Sequence, residues 1–261
     1  MYVIFVMGPA GSGKTYLTGA LSEWLQNHGM DVAVVNLDPA ADWLPYNPDV
    51  DVREFVTAYD VMKKYNLGPN GALIMSVDLL TNYLDDIRKQ VEEMKPNYVV
   101  VDTPGQLEIF AFRIAGRIVV SRLSEGCRAL ALFLIDSYLA SRPSALASLL
   151  FLATATAMSH GLPQLTILSK ADVLSDADLN KLREWIEDPE LMLSELEPEF
   201  KRLYSTIDVP LIVEALIKPM VRELLPVSAI TGYGLDELYA AIQRILAGGE
   251  DYLTEEPNEA L

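Results

Sequence analysis

Gly8-Pro9-Ala10-Gly11-Ser12-Gly13-Lys14-Thr15 closes one apolar run near the N-terminus and opens a stretch of helix-forming residues. Glycines at this spacing let successive backbone N–H groups wrap an anion at a helix N-terminus. The lysine can then reach the outer oxygens of a polyphosphate, and the hydroxyl after it is suited to Mg²⁺. The pattern G-x-x-x-x-G-K-[ST] arises by chance in about 1% of chains of this length, and a plain glycine turn leaves Lys14 and Thr15 unexplained. The expected phosphate contacts are Gly8, Gly11, Ser12, Gly13, Lys14 and Thr15, with Thr15 also on the metal.

Three weaker motifs follow in order, each at the end of an apolar run. Asp102-Thr103-Pro104-Gly105-Gln106 places a carboxylate where a second Mg²⁺ contact is wanted, and the Gly105 N–H can sense a terminal phosphate. In Ser169-Lys170-Ala171-Asp172, the aspartate can accept both N1–H and N2–H₂ of guanine, a pair that adenine does not offer, and the lysine stem can lie over the base. Val227-Ser228-Ala229-Ile230 can present a backbone N–H to guanine O6. A helix cap or a surface turn would account for either of the last two motifs alone, whereas their order and positions favour a nucleotide site. Asp38 is the best candidate to orient an attacking water, with Gln106 as a second contact; the plainer readings are an Asp-Pro turn and a surface glutamine. His28 and His160 read as helix C-terminal caps, and Trp24, Trp43 and Trp185 as packing residues.

The elements that must hold these residues are legible as apolar, β-rich runs: YVIFVM (2–7), VAVVN (32–36), ALIMSV (72–77), YVVVD (98–102), ALALFLID (129–136), QLTILS (164–169) and a weaker LLPVS (224–228). Most are continuously apolar, as parallel strands covered on both faces are. The segments GKTYLTGALSEWLQNHG, VREFVTAYDVMKKYN, VDLLTNYLDDIRKQVEEMK and PSALASLLFLATATAMS have helix length and composition. Alternation of the two predicts an α/β fold, a doubly wound and mostly parallel sheet, in a single domain over 1–247. Residues 175–223 read as a helical insertion packed beside the sheet, and 248–261 as an acidic flexible tail. On this pattern LGPNG (67–71) is punctuation between a helix and a strand.

Composition narrows the partners. The 261 residues are 51% hydrophobic and 22% charged, and 20 basic against 37 acidic residues give a net charge of −17. Such a balance disfavours direct nucleic-acid binding and anionic membranes, and no local basic patch offsets it. A nucleotide site survives, because its N–H groups, lysine and metal are all local. Cys127 is the only cysteine, so an intramolecular disulfide is excluded and a reducing, cytoplasmic setting is expected. The N-terminus leaves no room for a cleavable leader, and Ser144 to Met158, the most apolar stretch, is too short to span a bilayer.

Together the four motifs resemble the P-loop NTPase class and, within it, the GTPases. NLDPA (36–40) and Gly68-Pro69-Asn70 narrow the resemblance to the GPN-loop GTPase family, in its archaeal-type single-domain form. The resemblance runs from the phosphate loop to Ala229. It implies Mg²⁺-dependent binding of GTP, hydrolysis to GDP and phosphate, and a homodimer in which Asn70 of one subunit reaches the γ-phosphate of the other. It also implies a protein client, RNA polymerase being the one linked to eukaryotic relatives. Two departures stand out: SKAD has a serine where many GTPases have asparagine, and Pro9 stands in place of the extra lysine of MinD-type relatives. Lys14, Asp38, Asn70 and Gln106 are the expected catalytic set, and Thr15 and Asp102 the metal ligands. The rival readings are a P-loop kinase and a nucleotide-dependent scaffold with negligible turnover.

Overall fold

The computed structural model describes residues 1–203, 215 and 217–248. Valine, isoleucine and aromatic residues without polar interruption suit strands buried on both faces. Such runs form β1 (Tyr2–Met7), β2 (Val32–Asn36), β4 (Tyr98–Asp102), β5 (Arg128–Asp136) and β6 (Gln164–Ser169), with two short edge strands, β3 (Val50–Asp51) and β7 (Leu225–Pro226). All pairings among the described residues are parallel, in the order β3-β2-β4-β1-β5-β6-β7. Val6 is in register with Asp102, Asn36 with the same Asp102, and Asp136 with Ser169. The carboxyl ends of the central strands therefore form one edge.

The helices are α1 (Lys14–Asn27), α2 (Ala58–Tyr65), α3 (Pro69–Leu80), α4 (Leu84–Met94), α5 (Leu107–Phe112), α6 (Ile114–Leu123), α7 (Ser137–Ala140), α8 (Pro143–His160), α9 (Asp176–Glu187), α10 (Pro189–Leu203), α11 (Lys218–Arg222) and α12 (Leu235–Leu246). Alternate strand residues serve two cores, as the two-residue period of a strand requires. Ile4, Val6, Val100 and Leu132 pack with Leu17, Leu21, Leu25, Leu238 and Ile242 of α1 and α12. On the other face Phe5, Met7, Val101 and Phe133 pack with the remaining helices. Trp185, Met192, Leu196 and Val221 join this second core, so α9 to α11 share it with the sheet. Within 175–223, residues 204–214 and 216 lie outside the described residues, as does all of the expected acidic tail except Gly248.

One expected strand is a helix. ALIMSV (72–77) lies inside α3, whose buried residues Ala72, Leu73, Ser76, Val77 and Leu80 follow helical spacing. Six apolar residues fit either element; Pro69 at the first helical turn and the good helix formers Ala, Leu and Met decide it. LGPNG therefore joins two helices: Asn66, at φ 51°, ends α2, and Gly68 in extended conformation precedes Pro69. The stretch VREFVTAYDVMKKYN is also not one helix. A 3₁₀ turn over Val52–Glu54 is followed by extended Thr57, which caps α2 by accepting from the Asp60 N–H. VDLLTNYLDDIRKQVEEMK is likewise divided, between the end of α3, a 3₁₀ turn over Thr81–Tyr83, and α4. The two-residue β3 carried no readable pattern, and LLPVS contracts to Leu225–Pro226.

Helices α5 and α6 meet without space between them: a Cβ at Gly116 would lie 1.7 Å from the Phe110 carbonyl oxygen. Gly116→Ala is expected to lower stability by about 2–3 kcal/mol, read as a shift in the denaturant midpoint, whereas alanine at an exposed helical site such as Glu92 changes it little.

Candidate functional site

Chain reversal after β1 generates the phosphate loop. Gly13, at φ 93°, precedes α1, which has no side-chain cap and no acidic residue in its first turn. Its first N–H groups are therefore left for an outside acceptor, at the positive end of the helix. Lys14 is buried, and its Nζ donates to the Gly8 oxygen at 2.9 Å, the Pro9 oxygen at 3.0 Å and the Gly105 oxygen at 3.4 Å. Burial pulls its pKa down, and the charges of Asp102 and Asp38 oppose that shift. Gly8 and Ser12 lie behind the loop: a Cβ on Gly8 would be 2.7 Å from the Leu134 oxygen, and Ser12 Oγ is buried without a partner.

Asp102, 1% exposed, ends β4 beneath this loop. Tyr46 donates its O–H to Oδ2 at 3.0 Å, and the Thr15 hydroxyl beside the carboxylate favours the charged form. Oδ1 has no hydrogen-bond partner of good geometry. Desolvation pushes the Asp102 pKa up to about 6, against the opposing effects of Thr15, Tyr46 and Lys14. A buried carboxylate oxygen lacking a partner next to a hydroxyl is the environment a hard cation relieves. Among the described residues no group of three His, Cys, Asp or Glu is placed to hold a metal alone. Thr15 and Asp102 therefore fit as two protein ligands that would hold Mg²⁺.

Asp38 follows β2 and is held from both sides. Its Oδ1 accepts from the Ala40 N–H at 2.9 Å and its Oδ2 from the Gly105 N–H at 3.1 Å. Burial raises its pKa; the two N–H groups and the Lys14 charge act against that rise. Behind it, Asn36 is fully buried and donates to Asp51 at 2.9 Å, while Arg53 pairs with Asp51 and donates to the Ala41 oxygen at 2.9 Å. Gly11, Lys14, Thr15, Asp38 and Gly105 line one cleft of about 380 Å³, with Trp43 and Lys170 on its walls.

A neighbouring cavity of about 270 Å³ is lined by Gly13, Tyr16, Leu17, Lys170, Asp172, Val173, Ala229 and Ile230. Its apolar walls suit a planar base and its carboxylate suits two adjacent donors. Ser228 is buried; its Oγ donates to Asp172 Oδ1 and accepts from the Thr231 N–H. Lys170 runs its stem beside Gly13 and pairs its ammonium with Asp136 at 2.7 Å. Ser169, in the position of the usual asparagine, donates to the Ser12 oxygen at 2.6 Å and also lies 3.1 Å from the Ile135 oxygen. It therefore ties the phosphate loop to β5 and β6.

Asn70 and Gln106 do not line the phosphate cleft. Both open onto a third cleft, of about 790 Å³, shared with Arg53, Thr57 and Pro69, and Asn70 is exposed. Trp43, expected to pack, is instead 67% exposed on the phosphate cleft. His28 behaves as expected, with Nδ1 2.7 Å from the Trp24 oxygen at the end of α1. His160 does not: both its ring nitrogens are buried without partners, Gly161 ends α8, and desolvation, aided by the Arg117 charge, lowers its pKa to about 4. Sequence reasoning missed Tyr46, Asp51, Arg53 and Asp136. Their partners are side chains of other segments or of a two-residue strand, so no local spacing marks them.

A family model described as "Conserved hypothetical ATP binding protein" matches residues 6–248. The chain is 35% identical over 244 residues to a GPN-loop GTPase of Pyrococcus abyssi, covering 91% of this chain and 94% of that one. It is 29% identical over 252 residues to GPN-loop GTPase 1 of Dictyostelium discoideum, covering 95% of this chain but spanning only 62% of the relative. The crystal structure of the Pyrococcus GTPase in its apo form superimposes with a TM-score of 0.79 at 29% identity, over 94% of this chain and 97% of that one.

The electrostatics yield a test without nucleotide. The Asp102 pKa of about 6 is above that of a carboxylate in an unfolded chain, so its ionisation opposes folding above about pH 6 and has no effect below about pH 4. Asp102→Asn is expected to stabilise the nucleotide-free protein at pH 7.5 by up to about 3 kcal/mol and to lose this gain at pH 4, as measured by thermal melts across that range.

Proposed function

Because the chain belongs to the GPN-loop GTPase family, we propose that it binds GTP with Mg²⁺ and hydrolyses it to GDP and phosphate as a homodimer, with Asn70 acting in trans. The observation that carries the reading is the convergence of Lys14, Thr15, Asp38, Asp102 and the Gly105 N–H at one strand edge, above the uncapped start of α1. The base-sized cavity supports guanine, since Asp172 is oriented by Ser228 and flanked by the Lys170 stem. We read 1–247 as one such domain.

In this reading the N–H groups of Gly11 to Thr15 hold the phosphates, and Lys14 exchanges its carbonyl partners for β- and γ-oxygens. Thr15 and Asp102 would hold Mg²⁺, which would supply charge neutralisation to the phosphates. Asp38 orients the attacking water and accepts its proton as the bond to the γ-phosphorus forms, while the leaving oxygen remains with GDP. Gly105 N–H, now given to Asp38, is the donor that a γ-phosphate would engage. Asn70 is exposed and opens onto a cleft separate from Lys14 and Thr15, which supports a role in the site of a second copy. A neutral amide stabilises transferring charge less than an arginine does, so slow basal turnover is expected. The protein-client reading, RNA polymerase included, rests on the family resemblance.

Phosphate release should be Mg²⁺-dependent and faster with GTP than with ATP, and light scattering should give a dimer mass. Asp38→Ala and Asn70→Ala are each expected to reduce kcat about 10²-fold. Mixing the two impaired variants should bring activity to about a quarter of wild type, because half the dimers would be mixed and each would hold one complete site. Equal use of ATP, or no recovery on mixing, would reject guanine selectivity or the trans contact respectively.

A further inference from the structure

The metal-side carboxylate has an unassigned partner. Tyr46 lies in a segment stiffened by Pro45 and Pro48, and its ring rests on the bare backbone of α1 at Gly19. Gly19 and the ring stand close: a Cβ on Gly19 would make ordinary van der Waals contact with Tyr46 Cβ at 3.4 Å and Cδ1 at 3.5 Å, so the ring is seated against α1. From that seat the phenol O–H meets Asp102 Oδ2 at 3.0 Å, across 56 residues of sequence. The other oxygen, Oδ1, is buried and unpartnered beside Thr15.

We propose that Tyr46 is the positioning residue for the magnesium ligand: its O–H occupies Oδ2, fixes the carboxylate plane, and leaves Oδ1 as the oxygen presented to the ion or to its bound water. The inference rests on the magnesium–nucleotide reading above. A carboxylate with no donor in so desolvated a place is free to rotate and more readily protonated. A neutral donor on Oδ2 holds it without competing for the ion, as an ammonium would. The same connecting segment carries Asp38 at its start and Tyr46 near its end. One anchors to Gly105 and the other to Asp102, so the water-orienting and metal-holding carboxylates share a single stretch of chain.

The test uses the full chain and release of a fluorescent GDP analogue, titrated with Mg²⁺. In wild type, Mg²⁺ is expected to slow release with a defined half-saturating concentration. Tyr46→Phe keeps the ring on Gly19 and removes only the O–H. It should raise that concentration about tenfold, the usual effect of losing a second partner of a metal ligand, with GDP affinity in EDTA close to wild type and a single cooperative melt whose midpoint falls modestly because a buried carboxylate has lost a donor. In an Asp102→Asn background the same change should add nothing, because Tyr46 acts through Asp102. If wild type responds to Mg²⁺ and Tyr46→Phe responds identically, or if the two changes are additive, the role assigned to Tyr46 is overturned. If wild type itself does not respond to Mg²⁺, the magnesium–nucleotide reading falls as well.

Discussion

A carboxylate at the end of the central sheet, almost wholly removed from water, governs what surrounds it. Desolvating a charge costs several kcal/mol unless partners restore what water supplied. Asp102 has Tyr46 on one oxygen, Thr15 beside it, Lys14 nearby, and an oxygen still unmet. The charge is therefore only partly compensated, the setting that a hard cation relieves. Lys14 directs its donors to the carbonyls of its own loop and of Gly105.

That edge exists because β1 lies between β4 and β5 in parallel register, bringing Asp102, Asp136 and Ser169 to the side where α1 begins. Two layers of helices hold the sheet, and their division of labour matters to the site. One layer holds α1, and hence the phosphate loop, against the sheet. The other includes α3 and α5, which meet through a small apolar cluster of Leu73, Val77, Ile109 and Ala115, separate from the main core. On the proposed reading, Gly105 and Gln106 lead directly into α5 and Asn70 begins α3. Displacement of Asp38 from the Gly105 N–H by a phosphate would therefore bear on the helix pair that presents Asn70.

Much of this was legible in the residues, because the information was local. The glycine-rich octet, the aspartate after YVVV and the aspartate after QLTIL each announce themselves by residue type and by position after a strand, and the strand-end edge brings them together. The apolar strands were readable for the same reason, since a strand covered on both faces has no polar residues to obscure it. ALIMSV failed because six apolar residues carry no period; its helical spacing emerges only over Ala72 to Leu80, beyond the window in which the run reads as a strand. Trp43 failed because a tryptophan's type says that it prefers contact, not which surface supplies it. Serine in SKAD has its explanation in space: its hydroxyl reaches the phosphate loop, 157 residues away in sequence.

Residue types and spacing alone carried the alternating pattern of a parallel sheet and the candidates for the proposed chemistry: the glycine-rich octet, the hydroxyl of Thr15, and the carboxylates Asp102 and Asp172. Each is a matter of spacing along one stretch of chain, where covalent geometry leaves few choices. Tertiary structure alone decided that Tyr46 holds Asp102, that Asp38 occupies the Gly105 N–H, that Asn36, Asp51 and Arg53 brace the segment between, and that Asn70 starts a helix away from its own phosphate cleft. These contacts join segments whose meeting depends on how sheet and helices pack, and nothing in the residues between them records the distance they will end up apart.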